Sequence, residues 1–357
     1  MKYAVLSDLH CHTWSSFSTI NADGVNSRLR EILNEVDYAA KMLRYYHGNT
    51  MFIAGDIFHT RGTLDPEVLN PVRECFQSII LSGVKIVAIP GNHDMKTADT
   101  RELSSAIQNL KLGKHFRVVN HSEVINIDGH LFGFVPWRSD LDDLRSDLDK
   151  LARISTDMDV FIHAGIDDVL VGVPSAGLTA KELASYGFRR VYAGHYHNRR
   201  IMEGGKVVSI GAPVHHTWGD VGAEAGYIIA DRDSDDMRMF GSKAPSFVDV
   251  SGLDDTDMEL ACPGNYVRFR GPQMTQDEIN KLRKRFETWG AKGISIQVPV
   301  TTTSLHASSP VRGKTLDQSV SAFIAADKNM PASVDPAAVE RAALSVLKDA
   351  VTVVDET

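Results

Sequence analysis

Short apolar runs alternate with longer stretches of helical spacing through the first 200 residues. Tyr3 to Leu6 reads as a strand, Leu29 to Tyr45 as a helix, and Met51 to Ala54 as a second strand. A helix follows Pro66, and Val84, Ile86, Val87 and Ile89 form a third apolar run that stops at Pro90 and Gly91. Further strands are expected at 131–135, 159–163, 190–193, 206–210 and 227–230. Strands in rotation with helices predict a layered α/β fold, an α+β sandwich, and no internal repeat interrupts it.

The pattern changes after residue 240. A strand at 266–270, a helix at 276–286 and a strand at 293–299 make a small unit over 245–300, beyond a first domain at 1–240. A polar stretch at 301–314 reads as a linker. Beyond it, over 315–350, Val320, Phe323 and Ile324 and then Val339, Ala342, Ala343, Val346 and Leu347 fall at helical spacing. Two helices of that size bury little alone, so they are expected to dock on the body or on a partner.

Composition excludes some classes. With 43% hydrophobic and 24% charged residues the chain is expected to be ordered. A formal net charge of −8 excludes a grip on nucleic acid by bulk charge, so phosphate contacts must be local. Cys11, Cys75 and Cys262 are odd in number and unpaired in spacing, which predicts reduced thiols. The opening residues carry neither a cationic leader nor a long apolar run, so the expectation is cytoplasm and no membrane.

The chemistry sits at the strand ends. Asp8 and His10 follow the first strand, Asp56 and His59 the second, and Asn92, His93 and Asp94 the third. His163 closes a later strand, and His195 and His197 follow another. Singly, each of these reads as a turn, a cap or a satisfied histidine. Repeated at the carboxyl ends of five strands, where open α/β sheets place their sites, they are a costly polar set unless something satisfies them together. Carboxylate, imidazole and amide oxygen without thiolate suit Mn, Fe or Zn. The set is too large for one ion, and two ions sharing a carboxylate about 3.5–4 Å apart are equipment for phosphoester hydrolysis.

The order Asp-x-His, Gly-Asp-x-x-His, Gly-Asn-His-Asp, His, Gly-His-x-His resembles the calcineurin-like metallophosphoesterase superfamily over about residues 1–235. The resemblance implies a two-layer β-sandwich flanked by helices, with two divalent metal ions, Mn²⁺ first among them. It implies that Asp8, His10 and His197 hold one ion, that Asn92, His163 and His195 hold the other, and that Asp56 bridges them. His93 would instead face the scissile phosphate. His59 stands where the superfamily's protein phosphatases have Asp, and it resembles the DNA-repair exonuclease branch, the SbcD-like nuclease subunits of bacteria and phages. There His59 would orient His93 or touch nucleic acid.

The same branch implies that 245–300 is a capping domain, with Lys281, Arg283, Lys284, Arg285, Arg268 and Arg270 as a basic face for DNA or as solvated charge. It implies that the tail docks on an ATPase of the structural-maintenance (SMC) type, leaves room for a homodimer, and places a phage-encoded chain in the host cytoplasm. Where the branch commonly continues Leu-Gly after Asp-x-His, this chain has Cys11, His12, Thr13 and Trp14, so either His12 and Trp14 line the substrate groove or the loop is simply longer. His215 and His216 match no ligand motif and read as loop histidines, with a substrate-side or supporting role as the alternative.

The expected function is Mn-dependent hydrolysis of DNA phosphodiesters, as an exonuclease with single-strand endonuclease activity an open addition, within a recombination or repair complex. The alternatives are a small-molecule phosphatase or cyclic-nucleotide phosphodiesterase on the same metals, and a non-catalytic scaffold.

Overall fold

The computed structural model describes residues 1–97, 100, 102–104, 107–108, 110, 112–170, 172–299, 316–326 and 334–354. In chain order the body begins with β1 (Lys2–Leu6), α1 (Ser27–Tyr45), β2 (Thr50–Ala54), α2 (Pro66–Leu81), β3 (Lys85–Ile89) and β4 (Phe116–Val118). It continues with β5 (Glu123–Ile127), β6 (His130–Val135), α3 (Leu141–Ile154), β7 (Met158–His163), α4 (Ala180–Ser185), β8 (Arg190–Gly194), β9 (Arg200–Met202) and β10 (Val207–Ser209). β11 (Gly226–Asp231) and β12 (Met237–Gly241) then return to the first sheet.

Two six-stranded sheets result, in the orders β12-β11-β1-β2-β3-β4 and β5-β6-β7-β8-β10-β9. Strands β1 to β4 are mutually parallel, as are β6, β7, β8 and β10; β11 pairs antiparallel with both β1 and the edge strand β12, and β5 and β9 pair antiparallel at the edges of the second sheet. Period-two alternation explains the layering. Tyr3, Val5, Phe52, Ala54, Val87 and Ile89 face Phe132, Phe134, Phe161, Tyr192 and Val208 across the gap between the sheets. Their neighbours Ala4, Leu6, Met51, Ile53, Ile86 and Ala88 face outward onto α1 and α2. Val160, Ile162, Val191 and Ala193 do the same against Leu144, Leu148 and Leu151 of α3. The molecule is therefore a two-layer β-sandwich flanked by helices. Helix α1 starts where Asn26 Oδ1 accepts from Arg28 N and Leu29 N at 3.0 and 3.2 Å.

The next segment holds β13 (Phe247–Asp249), α5 (Asp255–Ala261), β14 (Tyr266–Arg270), α6 (Gln276–Thr288) and β15 (Gly293–Gln297). Its parallel three-stranded sheet covers a small core of Val250, Met258, Cys262, Val267, Leu282 and Phe286. It belongs to the same compact unit as the sandwich, Met1–Val300. The joint is aromatic: Arg28 lies 5.3 Å from the Trp14 ring centroid, 5.0 Å from Phe247 and 5.5 Å from Tyr266. A second unit, Thr301–Thr357, contains α7 (Leu316–Ala326) and α8 (Pro336–Val354), packed against each other. Val320 and Ile324 are partly covered there, whereas Phe323 is 76% exposed. The polar stretch 301–314 lies outside the described residues.

Strands expected at 206–210 and 293–299 are shorter, and β4, β5, β9, β12, β13, α3, α4 and α5 add to the elements expected from sequence. All three cysteines are free. Among the described residues no helix is long and apolar enough to cross a membrane.

Candidate metal centre

Parallel pairing of β1, β2 and β3 brings the loops carrying Asp8, Asp56 and Asn92 to one edge of the first sheet. Strands β7 and β8 bring His163 and His195 to the same place from the second. The turns are tight. Asp8, His10, Asp56 and His195 have φ of 53°, 44°, 52° and 115°, a backbone region side chains rarely adopt, so the surrounding packing must hold them there. Gly91 is required because a Cβ there would run into the Asp56 carboxylate and backbone.

The side chains converge. His163 Nε2 lies 3.4 Å from Asp56 Oδ2 and 3.1 Å from Asn92 Oδ1. His195 Nδ1 is 3.1 Å from the same Asn92 oxygen, and its backbone N–H donates to both oxygens of Asp8. His10 Nε2 stands 3.5 Å from Asp56 Oδ2. Asp8, His10 and His197 offer ligand atoms within 4.8 Å of one another, and so do Asp8, Asp56 and His163. A third group, His10, His59 and His93, meets the same limit. All seven residues expected as ligands therefore gather at one place, with His93 and His59 beside them.

His93 is anchored on both sides. Its backbone N–H donates to Asp56 Oδ1 at 2.8 Å, and its Nδ1 donates to the His59 carbonyl at 2.5 Å. That leaves Nε2 without a partner among these contacts. The His59 ring stacks on His93 at 5.3 Å, and its Nδ1 lies 3.3 Å from His10 Nδ1. His59 thus supports two neighbours at once.

Electrostatics fit a cation. Burial, helped by the Asp56 charge, pushes the Asp8 carboxyl up. Against its own burial, Asp56 is held well below the usual carboxylate range by His163, His10 and His93. Burial lowers His163, but Asp56 and Asp8 together raise it to about 9, a measure of the negative charge this corner gathers. Burial and the His163 charge bring His195 down to about 4, and burial with His93 and His12 does the same for His59, leaving both neutral. Two carboxylates at most 2% exposed, beside a charged His163 and the neutral His195 and His59, form a donor set that divalent cations would satisfy.

The family model for calcineurin-like phosphoesterases matches residues 1–199, more than half of the chain. The chain belongs to the calcineurin-like phosphoesterase family. Exonuclease subunit 1 of Enterobacteria phage T4 is 25% identical over 209 residues, which is 57% of this chain. The chain spans 58% of that relative's length. Among solved structures, a Thermus thermophilus protein matches at a TM-score of 0.44 and 10% identity, covering 68% of this chain and 99% of its own. A dimetal phosphatase from Danio rerio matches at 0.43 and 11%, covering 68% and 95%. At these scores the two structures add nothing to the assignment, which rests on the family match and on the sandwich itself.

Phosphoesterases of this family use divalent metals, and the acid and imidazole cluster is where such ions fit in this chain. A cavity of about 180 Å³ opens onto it, lined by His10, Asp56, His59, Asn92, His93 and His195, with Trp14 and His216 at its wall. Trp14 lines this cavity, and the His12 ring lies 5.4 Å from the Trp14 ring. His215 and His216 do lie in a loop. Both are buried: His215 joins Ala223 O to Phe247 N, and His216 Nε2 donates to Asp8 O at 2.9 Å.

Two further carboxylates support the cluster, one of them, Asp94, already named at the third strand end though given no role. Asp94 is fully buried and accepts from Ile57 N, Phe58 N and Gly91 N, tying the second and third strand ends together. Its place beside His93 was the available signal. Asp220 accepts from His197 Nδ1 at 2.7 Å, and only its nearness in space reveals it. Part of the basic face is spent internally, since Arg268 and Arg270 both pair with Asp249 and Arg285 pairs with Asp255. Lys281, Arg283 and Lys284 are exposed, with no ion pair among the described residues.

Proposed function

We propose that this chain is the nuclease subunit of a DNA repair or recombination assembly, hydrolysing DNA phosphodiesters with two divalent ions, Mn²⁺ foremost. The observation that carries the reading is His93, clamped at Nδ1 by the His59 carbonyl beside clustered carboxylates and imidazoles. The histidine at 59 favours a nuclease over a protein phosphatase, and the phage relative named as an exonuclease subunit supports that choice. In this reading Asp8, His10 and His197 would hold one ion, Asn92, His163 and His195 would hold the other, and Asp56 would contribute to both. When bound, the pair supplies the Lewis acidity that ionises water and neutralises charge on the phosphoryl group.

The chain's own residues do the rest. His93 presents Nε2 to the leaving oxygen and supplies a proton, while the His59 carbonyl and the Asp56 carboxylate fix its ring and backbone. His59, kept neutral by burial and its histidine neighbours, accepts from His10 Nδ1–H, so that His10 Nε2 remains free to ligate. The 245–300 unit acts as a cap, with Lys281, Arg283 and Lys284 reaching the DNA backbone. The helices at 315–350 dock an SMC-type ATPase, and a second copy of the chain completes the assembly.

A small-substrate phosphatase is the second reading, favoured by the small cavity and by the pairing of Arg268 and Arg270 with Asp249. Turnover of an oligonucleotide, an aryl phosphodiester and an aryl phosphomonoester by one Mn²⁺-loaded preparation separates the two. The nuclease reading expects the oligonucleotide to be cleaved with the highest kcat/KM. A monoester turned over far faster than any DNA would hand the site to the second reading.

A further inference from the structure

Residues 214–220 pass directly behind one of the two ligand groups. Asp220 is 4% exposed and divides its carboxylate between two tasks. Oδ2 accepts from His216 N and Thr217 N, both at 2.8 Å, closing a capping box with Thr217 over the turn Trp218–Asp220. Oδ1 accepts from His197 Nδ1 at 2.7 Å. A cap needs only the first of these. The loop is itself held: Arg28 donates to the carbonyls of His215 and His216 at 3.2 and 2.7 Å, and His216 Nε2 donates to the Asp8 carbonyl at 2.9 Å. One short segment therefore fixes the backbone of Asp8 and the ring of His197.

We propose that Asp220 is a positioning residue that sets the tautomer of His197, keeping its proton on Nδ1 so that the Nε2 lone pair faces Asp8 and His10. The inference rests on the two-ion reading above. The nitrogen that carries the proton on a ligating histidine is decided by the partner of the other nitrogen, and removing such partners typically weakens metal binding roughly 10–100-fold. Asparagine at 220 makes the argument sharp. Its amide oxygen can still accept from His216 N and Thr217 N, but its NH₂ then faces His197 and draws the proton to Nε2, closing the lone pair to metal.

The test uses the full chain in three forms: wild type, Asp220→Asn and Asp220→Ala. Nitrogen-15 NMR of the histidine rings in metal-free protein reads the tautomer, and Mn²⁺ titration reads ion number and affinity. Wild type is expected to show His197 protonated at Nδ1 and to bind two ions. Asp220→Asn should move that proton to Nε2 and weaken one ion roughly 10–100-fold while sparing the other. Asp220→Ala should lose the Nδ1 preference and weaken the same ion. Lower thermal stability with an unchanged tautomer and both ions at wild-type affinity would reduce Asp220 to a loop cap and overturn this inference alone. A wild-type chain holding fewer than two ions would overturn the two-ion reading and this inference with it.

Discussion

His93 has its Nδ1 and its backbone N–H both committed, so substitution there removes a proton donor without removing any of the seven proposed ligands. His93→Ala should leave Mn²⁺ content unchanged and lower kcat on DNA by roughly 10²–10⁴, the usual worth of a positioned acid. An ester with a good leaving group needs little protonation and should lose much less. Measuring both rates against metal content checks this, and equal losses on both substrates would assign His93 another role. Most residues at this scale were legible because each strand end carries a motif of its own. Asp220 was not, since it belongs to no ligand motif and acquires meaning only when folding brings it to His197. His216 was hidden the same way, its ring covering the Asp8 carbonyl from about 200 positions away in sequence.

The two sheets meet through an apolar layer crossed by polar ties, among them the Tyr3 hydroxyl donating to Asp159 Oδ2 at 2.7 Å, both residues buried. Tyr3→Phe deprives a buried carboxylate of a donor and should cost about 1–3 kcal/mol in denaturant unfolding. Phe52 stacks among Tyr3, Phe132, Phe134 and Phe161, and Phe52→Ala should cost about 3–5 kcal/mol. Both shifts should appear as lower denaturant midpoints, with the strand-end ligands themselves untouched. The central strands were readable from their apolar runs, because a strand covered on both faces has no polar alternation to hide it. Edge strands were harder: β5 is half-exposed along its length, and β4, β9 and β13 are only three residues each. Helix α3 did carry a signal, Leu141, Leu144, Leu148 and Leu151 at helical spacing, away from every strand-end motif.

At the scale of the molecule, one pocket draws on both sheets, so ions bound there should tie the sandwich together. Saturating Mn²⁺ should raise the thermal midpoint, by about 2.7 kcal/mol of stability at a hundredfold excess over Kd, and chelator should reverse it. The two compact units suggest a clean separation of tasks. Deletion of residues after 312 should leave Mn²⁺ content and small-diester hydrolysis intact while abolishing capture of the proposed ATPase partner, read by pull-down. The sandwich was legible because its strand ends repeat one chemistry; the 245–300 unit was legible only as an order of elements, and its pairing of Arg268 and Arg270 with Asp249 could not be foreseen from a run of like charges. The most direct measurement is digestion of end-labelled linear DNA, duplex and single-stranded, by purified chain with Mn²⁺ or chelator beside Asp56→Ala. Label should be released by the wild type in Mn²⁺ and in neither control. DNA cut equally by Asp56→Ala or in chelator, or left intact by a chain that holds its metal, would contradict a two-ion nuclease built on these strand ends.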